Sequence, residues 1–323
     1  MNRSLIKKCL GETAILFIAV AIALLIFSWF RVWIVSELDV SKFTMIIKML
    51  PEDWLDYTSV GFEWLVTYLG RTAMTLDEPF LVMLMAMFAI VRGTDVVSGE
   101  ISRGTMEMIL SQPVSRRQVF WTPVLFTLIG IVLLCGVVWF GMTLGVYTSQ
   151  VKESTYPVFK DPISGIEIPN ITADPIEETK TPMRERVNPV YFLPGITNLL
   201  FLSYFLVGIA TLFSSMDRFR WRTLGIAIGF YMISAMVKII AMPSDLFRWA
   251  QYLSFFTLYE PESFVLQAES NWSSQIYLLN YSESGELMGL GPLGYNLILF
   301  LLGSICLFAA MQIFKKRDIP APV

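Results

Sequence analysis

The chain has 323 residues, of which 55% are hydrophobic and only 16% charged, and its mean hydropathy is +0.60. A soluble domain is typically about a quarter charged, so this composition excludes an ordinary soluble fold and defines an integral membrane protein. The 24 basic and 27 acidic residues leave a net charge of −3, and the absence of histidine excludes Ser-His-Asp and Cys-His nucleophile systems, HExxH zinc hydrolases and histidine proton relays.

A membrane-spanning helix needs about 20 predominantly apolar residues. The first predicted span, 12–35, follows a basic start containing Arg3, Lys7 and Lys8. Its apolar run continues past the roughly 7–15 residues of a cleaved signal peptide, so it reads as an uncleaved anchor. The second, 79–97, is the weakest, because after Pro79 only Phe80 to Val91 separate Glu78 from Arg92. That stretch makes about 18 Å of helix against a hydrocarbon core of ~30 Å. Either Arg92 snorkels or the span begins earlier, near Thr72. The third, 119–146, is long and is expected to kink at Pro123. The fourth, 191–213, and fifth, 223–242, are joined by a short basic connection, and the sixth covers 292–314. The predicted fold is all-α, with six transmembrane helices and both termini on one side.

Charge selects that side. Segments 1–11, 95–118, 216–222 and 315–323, with flanking Glu12 and Arg92, hold thirteen Lys/Arg and six Asp/Glu. Segments 36–78, 147–190 and 243–291, with flanking Arg31 and Lys238, hold eleven basic and twenty-one acidic residues. By the positive-inside rule the first set, and both termini, are expected to be cytoplasmic in the plasma (inner) membrane, and the acidic set extracytoplasmic. Segment 36–78 mixes Trp54, Trp64, Leu65 and Leu69 with acids and reads as an amphipathic piece. Prolines at 157, 162, 169, 175, 182 and 189 exclude a long helix from 147–190 and leave extended loops or short edge strands. Cys9, Cys135 and Cys306 form no CxxC pattern, so neither a disulfide nor a metal site is expected.

The most informative stretch lies between the second and third spans. From Glu100 to Leu110 the pattern is helical, with Glu100, Arg103, Gly104 and Glu107 on one face. Arg103 is positioned to pair with Glu100 three residues before it and Glu107 four after it. Pro113 ends that helix, and Ser115 to Gln118 form a capping box that opens the third span. The result is a short amphipathic helix, about 98–112, held at both ends by spanning helices, so a force on it reaches both.

Gly99-Glu100, Arg103-Gly104-Thr105-Met106-Glu107, Leu110 and Gln112-Pro113-Val114-Ser115-Arg116 resemble the signature loop of ABC-2 type permeases, the membrane subunits of one class of ATP-binding-cassette transporters. The resemblance covers this loop and, more generally, the six-span layout. Many members carry a lysine where this chain has Pro123, so no role of such a lysine carries over. The resemblance implies a coupling helix that docks on a separate ATPase, with two ATPase copies driving two permease subunits, as a homodimer or a heterodimer. The expected ATPase contact comprises Glu100, Arg103, Gly104, Thr105, Glu107, Leu110, Pro113 and Arg116. Arg218, Arg220 and Arg222 form a second candidate contact, for the ATPase or for anionic lipid headgroups. No cofactor is expected in this chain, since it has no GxxxxGK[ST] loop, and ATP and Mg would be bound by the partner. No nucleic-acid partner is implied.

Gly141/Gly145 and Gly225/Gly229 are GxxxG pairs that permit close helix approach, within one chain or between two. No charge sits mid-span, which argues against ion-coupled transport and for external energy. The expected function is therefore a permease, with export the expected direction. A noncatalytic anchor or assembly protein is the alternative. A membrane-embedded enzyme is a weaker one, since carboxylate pairs of the outer segments, for instance Asp77/Glu78 or Glu177/Glu178, belong to no organising motif.

Overall fold

Backbone groups in hydrocarbon must be hydrogen-bonded within the protein, so apolar runs of this length fold as helices. The computed structural model describes residues 3–38, 67–155, 158–160, 167–169, 177–241, 245–281 and 287–317. Among them, six helices are long and apolar enough to cross a membrane. Five are simple: Arg3–Glu37, Arg116–Thr148, Leu193–Met216, Arg220–Ala241 and Pro292–Lys316. The third continues through Pro123 without ending.

The second span is composite. It runs as a helix over Tyr68–Ala73, a 3-10 turn over Met74–Leu76, a helix over Pro79–Thr94, a π turn over Asp95–Gly99 and a last turn at Glu100–Ser102. The residue before a proline is driven to extended backbone, and proline is at home in the first helical turn. Glu78 is accordingly non-helical and Pro79 restarts the helix. The span therefore begins at Tyr68, well before Pro79, and the shortfall of length disappears. Arg92 does not snorkel to water; it is 3% exposed, and Asp95 lies beside it.

The fourth span is central, packed against the second, third, fifth and sixth. Glycine allows the closest crossings. A Cβ on Gly208 would lie 2.6 Å from the Gly303 carbonyl of the sixth span, and one on Gly145 would lie 2.6 Å from Val32 Cβ of the first. The Gly141/Gly145 pair thus packs within the chain, onto the first span. Gly225 and Gly229 meet nothing within 4 Å, on the fifth span, which is the least buried of the six.

One end of the bundle carries strands. β1 (Gln150–Thr155) pairs antiparallel with β4 (Glu177–Pro182), with Gln150 opposite Pro182. β2 (Val158–Lys160) pairs with β3 (Glu167–Pro169), and β5 (Leu279–Tyr281) with β6 (Leu287–Leu290). The described parts of the proline-spaced segment beyond the third span are thus short strands and 3-10 turns, without a long helix. At the same end, 3-10 turns over Asp245–Leu253 and Phe255–Leu258 and a helix over Pro261–Ser270 sit on the bundle. Lys238 Nζ donates to the carbonyls of Phe256 (3.0 Å) and Tyr259 (3.1 Å), and Asn198 Nδ2 donates to that of Leu258 (3.1 Å). The predicted amphipathic piece around Trp54, Trp64 and Leu65 lies outside the described residues, whereas Leu69 is buried.

Candidate functional site: the elbow between the second and third spans

At the opposite end, the second span turns into the third through a bent elbow. The helix predicted over 98–112 is not continuous. It stops at Ser102, reverses at Arg103-Gly104 and resumes as Thr105–Leu110. Gly104 has φ +69°, the left-handed region that glycine enters without steric cost. A Cβ there would meet nothing of this chain within 4 Å, so within the chain this glycine serves the backbone turn. Ser115 and Gln118 form the expected capping box at the start of the third span.

The π turn frees backbone N–H groups from the helical ladder. Those of Val97 and Ser98 donate to Ser214 Oγ at 3.2 and 2.8 Å, and Ser214 Oγ donates to the Thr94 carbonyl at 2.7 Å. Ser98 Oγ lies 2.9 Å from Thr223 Oγ1. The last turn of the fourth span and the first of the fifth are thereby pinned to the turn that leads into the elbow.

Charge does the rest. Asp95 Oδ1 is 3.2 Å from Arg103 Nη1 and 2.9 Å from Arg220 Nε, while Oδ2 is 3.4 Å from Arg92 Nη1 and 3.2 Å from Arg220 Nη2. Gly99 makes room for this carboxylate, since a Cβ there would stand 2.4 Å from Asp95 Oδ1. Glu100 accepts from Arg103 Nη2 at 2.9 Å, from Lys8 Nζ of the first span and from the Thr105 hydroxyl. Lys8 also lies 3.7 Å from Glu12. Burial by itself would lower the Arg103 pKa, but the carboxylates of Glu100 and Asp95 outweigh it and hold the guanidinium above its usual value. A cavity of about 20 Å³ lies beside Lys8, Arg92, Asp95 and Glu100. It has room for one water within reach of Arg92.

The network redistributes the candidate contact residues. Glu100 is 8% exposed and Arg103 is tied to two carboxylates, so both shape the elbow from within. Thr105 braces the restart of the helix through Glu100, and half-buried Leu110 packs on the Val96–Met106–Phe120–Phe314 cluster. The expected Arg103–Glu107 pair does not form, and Glu107 has no ion pair among the described residues. Arg116 donates to the carbonyls of Lys315 (3.2 Å) and Arg317 (2.9 Å), joining the third span to the end of the sixth. Pro113 is exposed, with Ser102, Gly104, Ser111, Gln112 and Met108, the last 70% exposed.

The three arginines of the 216–222 connection do not act as one patch. Arg220 turns inward to Asp95, Arg222 pairs with Asp217 at 3.2 Å, and Arg218 lies 5.9 Å from the Phe219 ring centroid. Asp95 is the residue that sequence reasoning missed. Its spacing of three from Arg92 was visible; its convergence with Arg103 and Arg220 required the bundle.

The six apolar spans with a braced, partly exposed elbow between the second and third describe a multi-pass membrane permease. Comparison with known families matches residues 58–319 to the family described as ABC-2 family transporter protein. No curated protein matches the sequence. The chain belongs to the ABC-2 transporter family and is a membrane permease of an ABC transporter.

Proposed function

We propose that this chain moves its substrate outward across the plasma (inner) membrane, driven by ATP hydrolysis in a separate ABC ATPase that grips the elbow from the cytoplasm. Two permease subunits and two ATPase copies would form the working unit, with ATP and Mg held by the ATPases. The elbow end, with both termini, would be the cytoplasmic end; its excess of Lys and Arg supports that orientation. Trp221, 73% exposed, and its neighbours Arg218 and Arg222 suit contact with anionic headgroups at the same interface.

The observation that carries this reading is the division of labour in the elbow. An exposed tip, Ser102, Gly104, Met108 and Ser111–Pro113, is free for a partner, while Asp95 and Glu100 beneath it tether the first, second and fifth spans. A push on the tip therefore reaches three spanning helices besides the third. The enzyme alternative loses one of its carboxylate pairs, since Glu78 is engaged by Arg31 at 2.6 Å.

The test is retention of the ATPase during purification of the permease. Met108→Asp and Gln112→Asp, both on the tip, are expected to abolish retention while leaving the thermal unfolding of the permease unchanged. Retention at the wild-type level in both variants would overturn the docking assignment.

A further inference from the structure

A groove of about 400 Å³ runs between the fourth and sixth spans at the strand end of the bundle, far from the elbow. One wall is Leu193, Thr197 and Phe201, one turn apart along the fourth span; the other is Leu293, Leu297 and Phe300 of the sixth. From Leu193 to Phe201 the groove descends about 12 Å, most of one ~15 Å leaflet. Phe201 and Phe300 meet edge to face, centroids 6.1 Å apart, and form its floor. Leu193, Leu293, Leu297 and Phe300 are all more than a third exposed, so the groove opens sideways toward the membrane.

The polar atoms separate this groove from an ordinary lipid-facing surface. Gln275 lies at the mouth, where its Nε2 donates to the Phe264 carbonyl at 3.1 Å. Its Oε1 is buried without a hydrogen-bond partner. Asn296 is 8% exposed and its Oδ1 is taken by Asn198 Nδ2 at 2.8 Å; among the described residues its own amide nitrogen has no acceptor. Gln275 Oε1 is closed off from the groove, whereas the Asn296 amide presents one donor near the top of an apolar slot, and no charged side chain lines it.

We infer that this groove is a site for one acyl chain of a membrane glycerolipid, with the ester carbonyl accepting from the Asn296 amide. The slot takes the chain, the amide reads the neutral linkage, and the absence of charge leaves the headgroup phosphate unselected. The inference depends only on the spans crossing a membrane, and stands or falls apart from the ATPase contact.

The experiment places the full chain in bilayers of phosphatidylethanolamine and phosphatidylglycerol doped with a diacyl-phosphatidylcholine carrying a diazirine in one chain. Photolabelling is mapped by mass spectrometry. Labelling of 193–201 and 293–300 is expected to exceed several-fold that of the exposed fifth-span face at Ile233 and Ile239. Thr197→Trp and Leu297→Trp, one filling the slot from each wall, are each expected to remove that excess without changing labelling of the fifth span or thermal unfolding. A diether probe without ester carbonyls is expected to label the groove several-fold less. Equal labelling of all exposed apolar faces, or an excess that survives both tryptophan variants, would overturn the site. Equal labelling by diester and diether probes would overturn the assigned recognition of the linkage. Efficient disulfide formation between copies carrying Leu297→Cys would show that a second permease covers the groove, and would overturn the lipid as its occupant.

Discussion

Asp95 is almost fully buried with Arg92, and its carboxylate also serves Arg103 and Arg220. A buried ion pair is weak evidence of net stabilisation, because desolvation offsets much of the attraction, but removing one partner strands the other. The network is therefore better understood as a device that holds one elbow geometry than as a source of stability. Gly104 sets that geometry by its positive φ. Gly104→Ala is expected to cost about 1–2 kcal/mol, the strain of an L-residue in the left-handed region. Gly104→Asn is expected to cost less, because asparagine tolerates that region better. Hydrogen exchange over Glu100–Leu110 would check this, with faster exchange in the alanine variant than in the asparagine variant.

Helices of this bundle differ in what their small residues do. Gly208 sits where the fourth span crosses the Gly303 backbone, and neither chain can give way there. Gly225 faces open space. Gly208→Leu is therefore expected to destabilise the fold by about 1–3 kcal/mol or more, as overpacking of a tight contact does. Gly225→Leu is expected to leave the unfolding temperature of the isolated permease unchanged. Thermal unfolding of the two variants in detergent separates them; an equal loss in both would mean that the fifth-span face is packed within the subunit. At the elbow, the same logic explains the π turn. Its freed N–H groups are tolerable because Ser214 Oγ receives two of them.

Across the whole molecule, the two ends are built differently: an ionic network at the elbow, and half-buried carboxylates at the strand end. Glu262, in the first turn of the Pro261–Ser270 helix, is pushed up to about 7, chiefly by burial and then by the Asp77 charge, with Glu260 adding to it and Lys238 opposing. Burial is also the leading cause that raises Glu260. The folded state therefore keeps a proton on Glu262 that the unfolded chain releases near pH 4.5. Its contribution favours folding most below that value and is lost as pH rises toward about 7, by at most about 3 kcal/mol. The unfolding temperature is expected to fall between pH 5 and pH 7, and Glu262→Gln is expected to flatten that slope. An unchanged slope in the variant would place the titration elsewhere.

Hydropathy alone revealed six spans, though not where the second begins, because the requirement to satisfy backbone groups in hydrocarbon leaves a long apolar run no alternative to a helix. The short strands described within 147–190 were legible for an equally local reason, the rigid φ of its prolines. The loop motif from Gly99 to Arg116 was legible too, together with its capping box. Only the tertiary structure decided which of those residues face outward. Burial depends on neighbours distant in sequence: Lys8 from the first span closes over Glu100, and Arg220 from the fifth reaches Asp95. The bend at Gly104 likewise escaped a periodicity argument, because a single left-handed residue breaks a helix without disturbing the spacing of the residues around it. The chain's chemistry was written in residue types, while the assignment of brace and tip was made by packing, which brings charges from three of the six spans, and the elbow itself, into one network.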